Sequence, residues 1–260
     1  MSKLLNSGGD EADFSKPLYV PIKRRSFFMY AGATAGATAL ILSGCGDDDD
    51  DNNPVSNPNM VNVGAGSVGV LNYAYALEQL EAGFYTTLRT GTYYTGLAAG
   101  SAEKQILDDL YYHEVIHREF FKAALMRDAS SSIIKSLEPN FDGIDFNART
   151  TAAGSTKLGV LNAAKAFEDL GVSAYNGAGR FIGTDVAGLN YLVAAGKIVS
   201  VEARHAALIR DLVSEGSFID SDIVNIATNG LEISKTPAQV VAVANTFLKE
   251  GSKLNVSGLV

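Results

Sequence analysis

The chain has 260 residues, 47% of them hydrophobic and 19% charged, with a formal net charge of −8. That composition supports a sizeable buried core, and the acidic balance gives a nucleic-acid role no electrostatic footing. The single cysteine, Cys45, excludes an internal disulfide framework and a cysteine-based zinc site.

Residues 23–46 read KRRSFFMYAGATAGATALILSGCG. A basic segment leads into a moderately apolar stretch that ends in small residues at a cysteine, which is the layout of a secretory signal. Residues 27–44 are too short and too rich in Gly and Thr to suit a membrane span. Arg24 and Arg25 before Ser26, Phe27 and Phe28 resemble a twin-arginine export signal. Leu42-Ser43-Gly44-Cys45 resembles a bacterial lipobox, whose cysteine is lipidated and becomes the new N-terminus. These resemblances imply a signal over residues 1–45, export to the periplasmic or cell-surface side of a bacterial membrane, and a lipid anchor at Cys45. Asp47 to Asp51 and the Asn/Pro-rich residues after them cannot build a core, so residues 46–65 are expected to form a solvated tether.

The body, expected over residues 66–260, is a repeat. GVLNYAYALEQLEAGFY from Gly69 aligns without gaps with GVLNAAKAFEDLGVSAY from Gly159. Glu78 matches Glu168, Leu80 matches Leu170, and Tyr85 matches Tyr175. Apolar residues at helical spacing, with no proline, predict a helix of about five turns in each. A second helix follows each repeat. One starts after Ser101 and runs to Asp128; the other starts after Thr184, expected as its cap, and ends before Gly216. The break at about residues 129–156 holds Pro139, Asn140 and Gly143, and its length suits a connection that crosses a whole four-helix bundle. Thr236 as cap, Pro237 at the first position and Gly251 past the end predict a short fifth helix.

Polar residues interrupt the apolar faces in a pattern. The second helix carries HEVIH, with Glu114 and His117 as Glu-x-x-His, and the fourth carries EARH, with Glu202 and His205 in the same motif. Residues three apart share a helix face, so each motif can hold one metal ion. Two of only three histidines carry the motif, and each lies on the second helix of a repeated pair. Glu78 and Glu168 add one carboxylate each from the first and third helices. Carboxylate and imidazole donors suit iron or manganese. Glu81 aligns with Gly171, so repeat symmetry favours Glu78 as the ligand and leaves Glu81 facing solvent or serving as an accessory carboxylate. His113 lacks a Glu three positions earlier and is expected beside a ligand or partly exposed. Tyr85 and Tyr175, two turns beyond their glutamates, read as core tyrosines or as hydrogen-bond or radical partners of the metals.

The stretches ALEQLEAGFY, FEDLGVSAYNGAG and IVSVEARHAALIRDL resemble the ferritin-like superfamily, and more narrowly a bacterial ferritin-like domain family with a desiccation-related branch. The resemblance covers about residues 66–215. It implies an all-α fold: a four-helix bundle with one long crossover between its second and third helices, plus the short C-terminal helix. It also implies a dinuclear centre of two iron ions, or manganese, held by Glu78, Glu114, His117, Glu168, Glu202 and His205. Glu114 and Glu202 would bridge the metals. Two functions stay open. One is an exported di-metal protein that reacts with oxygen or peroxide, as a peroxidase, ferroxidase or catalase-like enzyme in iron handling or in oxidative or desiccation stress. The other is a non-catalytic envelope protein built on a metal-free bundle. A catalytic role would need a separate electron donor, because a lone cysteine cannot form a rubredoxin-like pair.

Overall fold

The computed structural model describes residues 59–260. The signal, Cys45 and most of the expected tether lie outside the described residues. The folded part begins earlier than residue 66, because β1 (Val61–Asn62) pairs in parallel with β4 (Leu254–Asn255) and Val63 is fully buried. The tether therefore stops short of its expected end. A two-residue strand paired across most of the chain leaves no periodicity in the sequence.

Four long helices form the body: α1 (Gly66–Leu88), α3 (Ala102–Asp128), α4 (Val160–Ala178) and α5 (Val186–Val213). A four-residue helix, α2 (Thr92–Thr95), lies in the first connection, and α6 (Pro237–Ala244) follows the bundle. α1 packs along α3 and α4 along α5; the two pairs meet through α1 and α4 and through α3 and α5. α1 and α4 are buried over most of their surface. α3 and α5 bury one stripe each: Leu107, Leu110, Glu114, His117 and Phe121 on α3, and Ile198, Glu202, His205 and Ile209 on α5. The three-and-four spacing of those stripes is the core-facing pattern of a bundle helix. The Glu-x-x-His residues occupy core positions within it. α5 is long and apolar enough, by length and composition, to cross a membrane. Here its inner face carries Glu202, His205 and Arg210 into the protein interior.

Local chemistry explains the shared Gly-Val-Leu-Asn. A Cβ on Gly69 would meet the backbone carbon of Gly64 at 2.7 Å, and one on Gly159 would meet that of Thr150 at 2.2 Å. In both repeats the incoming chain thus crosses directly over the helix start. The asparagines then fasten it. Asn72 donates to the Val63 and Ser132 carbonyls and accepts from the Ile134 N–H; Asn162 accepts from the Thr151 N–H.

Ser101 caps α3 by accepting from the Lys104 N–H. Asp185, rather than Thr184, caps α5 by accepting from the Gly188 N–H at 2.7 Å. Either residue type suits a cap, and the helix starts one residue later than expected. Thr236 and Gln239 form a capping box on α6, which packs on α4. α6 ends at Ala244 and passes into a single 3₁₀ turn, Asn245–Phe247. Gly251, with φ +79°, serves a later turn instead of the helix end.

The crossover from residue 129 to 159 is anchored along its length. β2 (Ile144–Asp145) pairs in parallel with β3 (Leu158–Gly159). Phe141 and Phe146 from this segment join Phe84 and Phe167 in one aromatic cluster.

Candidate metal centre

All six expected ligand residues converge inside the bundle, one helix supplying each wall. Glu78, Glu114, Glu168 and Glu202 are fully buried, and His117 and His205 are 8% and 4% exposed. They form two overlapping quartets, each with donor atoms within 4.8 Å of one another: Glu78, Glu114, His117 and Glu202, and Glu114, Glu168, Glu202 and His205. Glu114 and Glu202 belong to both.

The shared carboxylates divide their oxygens between the two quartets. Glu202 Oε1 lies 2.8 Å from His117 Nδ1, while its Oε2 lies 3.5 Å from His205 Nδ1. Glu114 Oε1 lies 2.9 Å from His205 Nδ1, and its Oε2 3.6 Å from His117 Nδ1. Glu78 Oε2 approaches only the His117 side, at 3.6 Å, and Glu168 Oε2 only the His205 side, at 3.4 Å. These approaches lack hydrogen-bond geometry. Both oxygens of Glu114 and Glu202, Oε2 of Glu78 and Glu168, and Nδ1 of both histidines are buried without a hydrogen-bond partner. Leaving so many buried polar atoms unmatched costs several kcal/mol, and two cations would satisfy all of them. The donors are oxygen and imidazole nitrogen, which fits iron or manganese.

The remaining oxygens of the outer glutamates are already occupied. Tyr85 on α1 donates to Glu168 Oε1 at 2.5 Å, and Tyr175 on α4 donates to Glu78 Oε1. Each tyrosine serves the glutamate of the other repeat. Spacing placed each tyrosine on its own glutamate's face, but only the packing of α1 against α4 reveals the exchange. Such partners orient ligands and tune the metal.

Two further residues complete the surroundings. His113 is exposed, and its Nδ1 lies 2.8 Å from Nε2 of His205, so it links that ligand to the surface. Glu81 is buried at 3% exposure and does not face solvent. A Cβ added at Gly171 would meet its Oε1 at 2.9 Å, so Glu81 fills the space left by the missing side chain at the matching repeat position. One turn beyond the centre, buried Arg210 forms a two-pronged ion pair with Asp169 at 2.8 and 2.9 Å and reaches Asp222. Arg210, Asp169 and Asp222 come from three separate stretches with no metal-ligand spacing, so nothing in the sequence pattern marks this network.

Charge is unevenly held in the metal-free protein. Burial pushes Glu78 and Glu81 well above the ordinary carboxylate range, and burial, opposed by His205, raises Glu168 to about 8. Burial also opposes ionisation of Glu114, but His117 and His205 outweigh it and hold that carboxyl at about 2. Burial likewise opposes a charged His117, but Glu114, Glu202 and Glu78 outweigh it and raise His117 to about 12; against the same burial, Glu168, Glu114 and Glu202 raise His205. The interior thus holds protons where cations would otherwise sit.

A family model described as a ferritin-like domain matches residues 66–215, the span of the four long helices. The chain belongs to the ferritin-like domain family. The ferritin-like arrangement places one glutamate on each of two helices and a Glu-x-x-His on each of the other two, and that is the arrangement this chain builds. No curated protein matches the chain at a significant level.

Proposed function

We propose that this ferritin-like protein holds a dinuclear iron or manganese centre and reacts with dioxygen or peroxide. The observation that carries the reading is the pair of quartets sharing Glu114 and Glu202, with eight buried donor atoms left unmatched. Glu114 and Glu202, common to both quartets, would be shared by the two ions, and Glu78 with His117, and Glu168 with His205, would hold the two sides. The chemistry such ions would supply when bound is electron transfer to an oxygen species. The protein's own residues keep the ligands fixed: Tyr175 and Tyr85 hold the outer carboxylates by their second oxygens, and His113 holds His205 by its far nitrogen. The reducing partner is a separate protein or small molecule.

The reading extends to location. The twin-arginine-like signal and the lipobox support export and anchoring through Cys45 on the outer side of a bacterial membrane, where iron handling and protection from oxidative or desiccation stress are needed. Membrane recovery of the protein that is lost on Cys45→Ser supports the anchor; unchanged recovery contradicts it.

The experiment for the chemistry is anaerobic loading with ferrous iron, followed by oxygen or hydrogen peroxide. Consumption of one of them, coupled to iron oxidation and abolished by Glu114→Ala, is expected. A loaded protein inert to both leaves the non-catalytic reading in its place.

A further inference from the structure

Beside the centre lies a narrow inner cavity of about 20 Å³, room for one or two molecules the size of water. Its walls come from α1, α3, α4 and α5 and are almost wholly apolar. Three tyrosines line it, and two of their hydroxyls are spent: Tyr175 donates to Glu78 and Tyr191 to Asp128. The third, Tyr73, is 1% exposed, and its buried hydroxyl has no hydrogen-bond partner. The cavity's walls adjoin the stretches that carry Glu78 and His117. Leu77 in its wall precedes Glu78, Phe121 lies one turn beyond His117, and Tyr175 belongs to both cavity and centre.

A second, outer pocket of about 260 Å³ between α4 and α5 shares Tyr175, Gly179 and Ala195 with the inner cavity. Leu192, Gly196 and Val199 line it towards the surface. The small residues Gly179 and Ala195 therefore stand where the two spaces meet. The other half of the molecule is built differently. Tyr85, which matches Tyr175 in the repeat, sits against Phe84 and the phenylalanine cluster, and side chains occupy that region.

We propose that the inner cavity is a binding site for dioxygen, entered through the outer pocket past Gly179 and Ala195, and serving the Glu78 side of the centre. A buried water needs two to four polar partners; these walls are almost wholly apolar, and of the three hydroxyls on them only that of Tyr73 keeps its donor unpaired. Hydrogen peroxide, with two donors and several acceptor positions, would leave still more bonds unmade. A small neutral apolar diatomic loses nothing there. The site thus selects dioxygen over peroxide as the oxidant, and in this it rests on the proposed reaction at the metal centre.

The test has a part that needs no metal. Crystals of the metal-free protein pressurised with xenon should show xenon in the cavity beside Tyr73. An ordered water bonded to Tyr73, with xenon excluded, overturns the proposal. In iron-loaded protein, Ala195→Phe should slow the reaction with dioxygen by about tenfold or more and leave metal content and the peroxide reaction within about twofold. Leu192→Trp, at the partly exposed outer mouth, repeats the measurement without touching the core should Ala195→Phe fail to fold. Equal slowing of both oxidants, or of neither, overturns the proposal. If the loaded wild type ignores dioxygen, the reading of the centre fails, and the xenon result alone decides the cavity as a site for a small apolar molecule.

Discussion

The metal-free centre holds protons where a metal-loaded one holds cations, and its sign of pH dependence follows. Glu168, raised to about 8, and His117, raised to about 12, bind protons in the folded protein that the unfolded chain has already released. Glu78, Glu81 and His205 are shifted upward as well. A group raised by folding adds stability that is complete below its unfolded pKa and is lost as pH rises through its folded one. Glu114 is shifted downward, but it acts below the ordinary carboxylate range, between about 2 and its unfolded value. Chelator-treated protein should therefore lose melting temperature steadily from about pH 5 to about pH 9. Metal-loaded protein should not, because cations displace those protons on binding. A melting temperature of the metal-free form that climbs across this range would contradict the charge assignment.

Among the elements, most of what mattered was visible in the one-dimensional pattern, for a physical reason. A bundle helix buries residues at a three-and-four spacing, so Glu114 with His117 and Glu202 with His205 could be placed on core faces before their neighbours were known. Ninety-residue-scale repetition then paired Glu78 with Glu168. What stayed hidden depends on which helices touch. The exchange of Tyr85 and Tyr175 between repeats, the Arg210 ion pairs, the burial of Glu81 over Gly171 and the hollow beside Tyr73 are all relations between distant segments. Thr184 is the expected cap of α5, yet the neighbouring Asp185, a residue type of stronger cap preference, takes the place, and α6 gives way to a 3₁₀ turn at Asn245 well before Gly251. The repeated Gly-Val-Leu-Asn carried more meaning than its apolar spacing suggested. Gly159→Ala should force Thr150 and the end of the crossover away from α4, at a cost of about 1–3 kcal/mol in denaturant unfolding. Gly143→Ala, in open space on the same connection, is the control expected to stay near wild type. Equal stability of the two variants would remove the close-crossing account of the repeat motif.

For the whole molecule, the fold and the site make one design with two demands. The four helices need apolar faces to pack, yet the bundle interior spends six core positions on the ionisable side chains of the two quartets, and two more on Glu81 and Arg210. A purely structural bundle gains from replacing such groups with apolar ones of similar volume, often by about 1–4 kcal/mol. A metal-holding bundle loses its cations by the same change. The repeat supplies two nearly equivalent halves, and the structure then makes them unequal. His113 backs only His205, Glu81 has no partner in the second repeat, and the cavity described above lies on the Tyr175 side. Metal equilibrium titration of the protein, with elemental analysis, tests the central claim most directly. Wild type should bind close to two iron or manganese ions per chain, and Glu114→Ala, which removes a bridge common to both quartets, should depress both together. Binding near zero in the wild type, or two ions retained unchanged in Glu114→Ala, would contradict a centre bridged by Glu114 and Glu202.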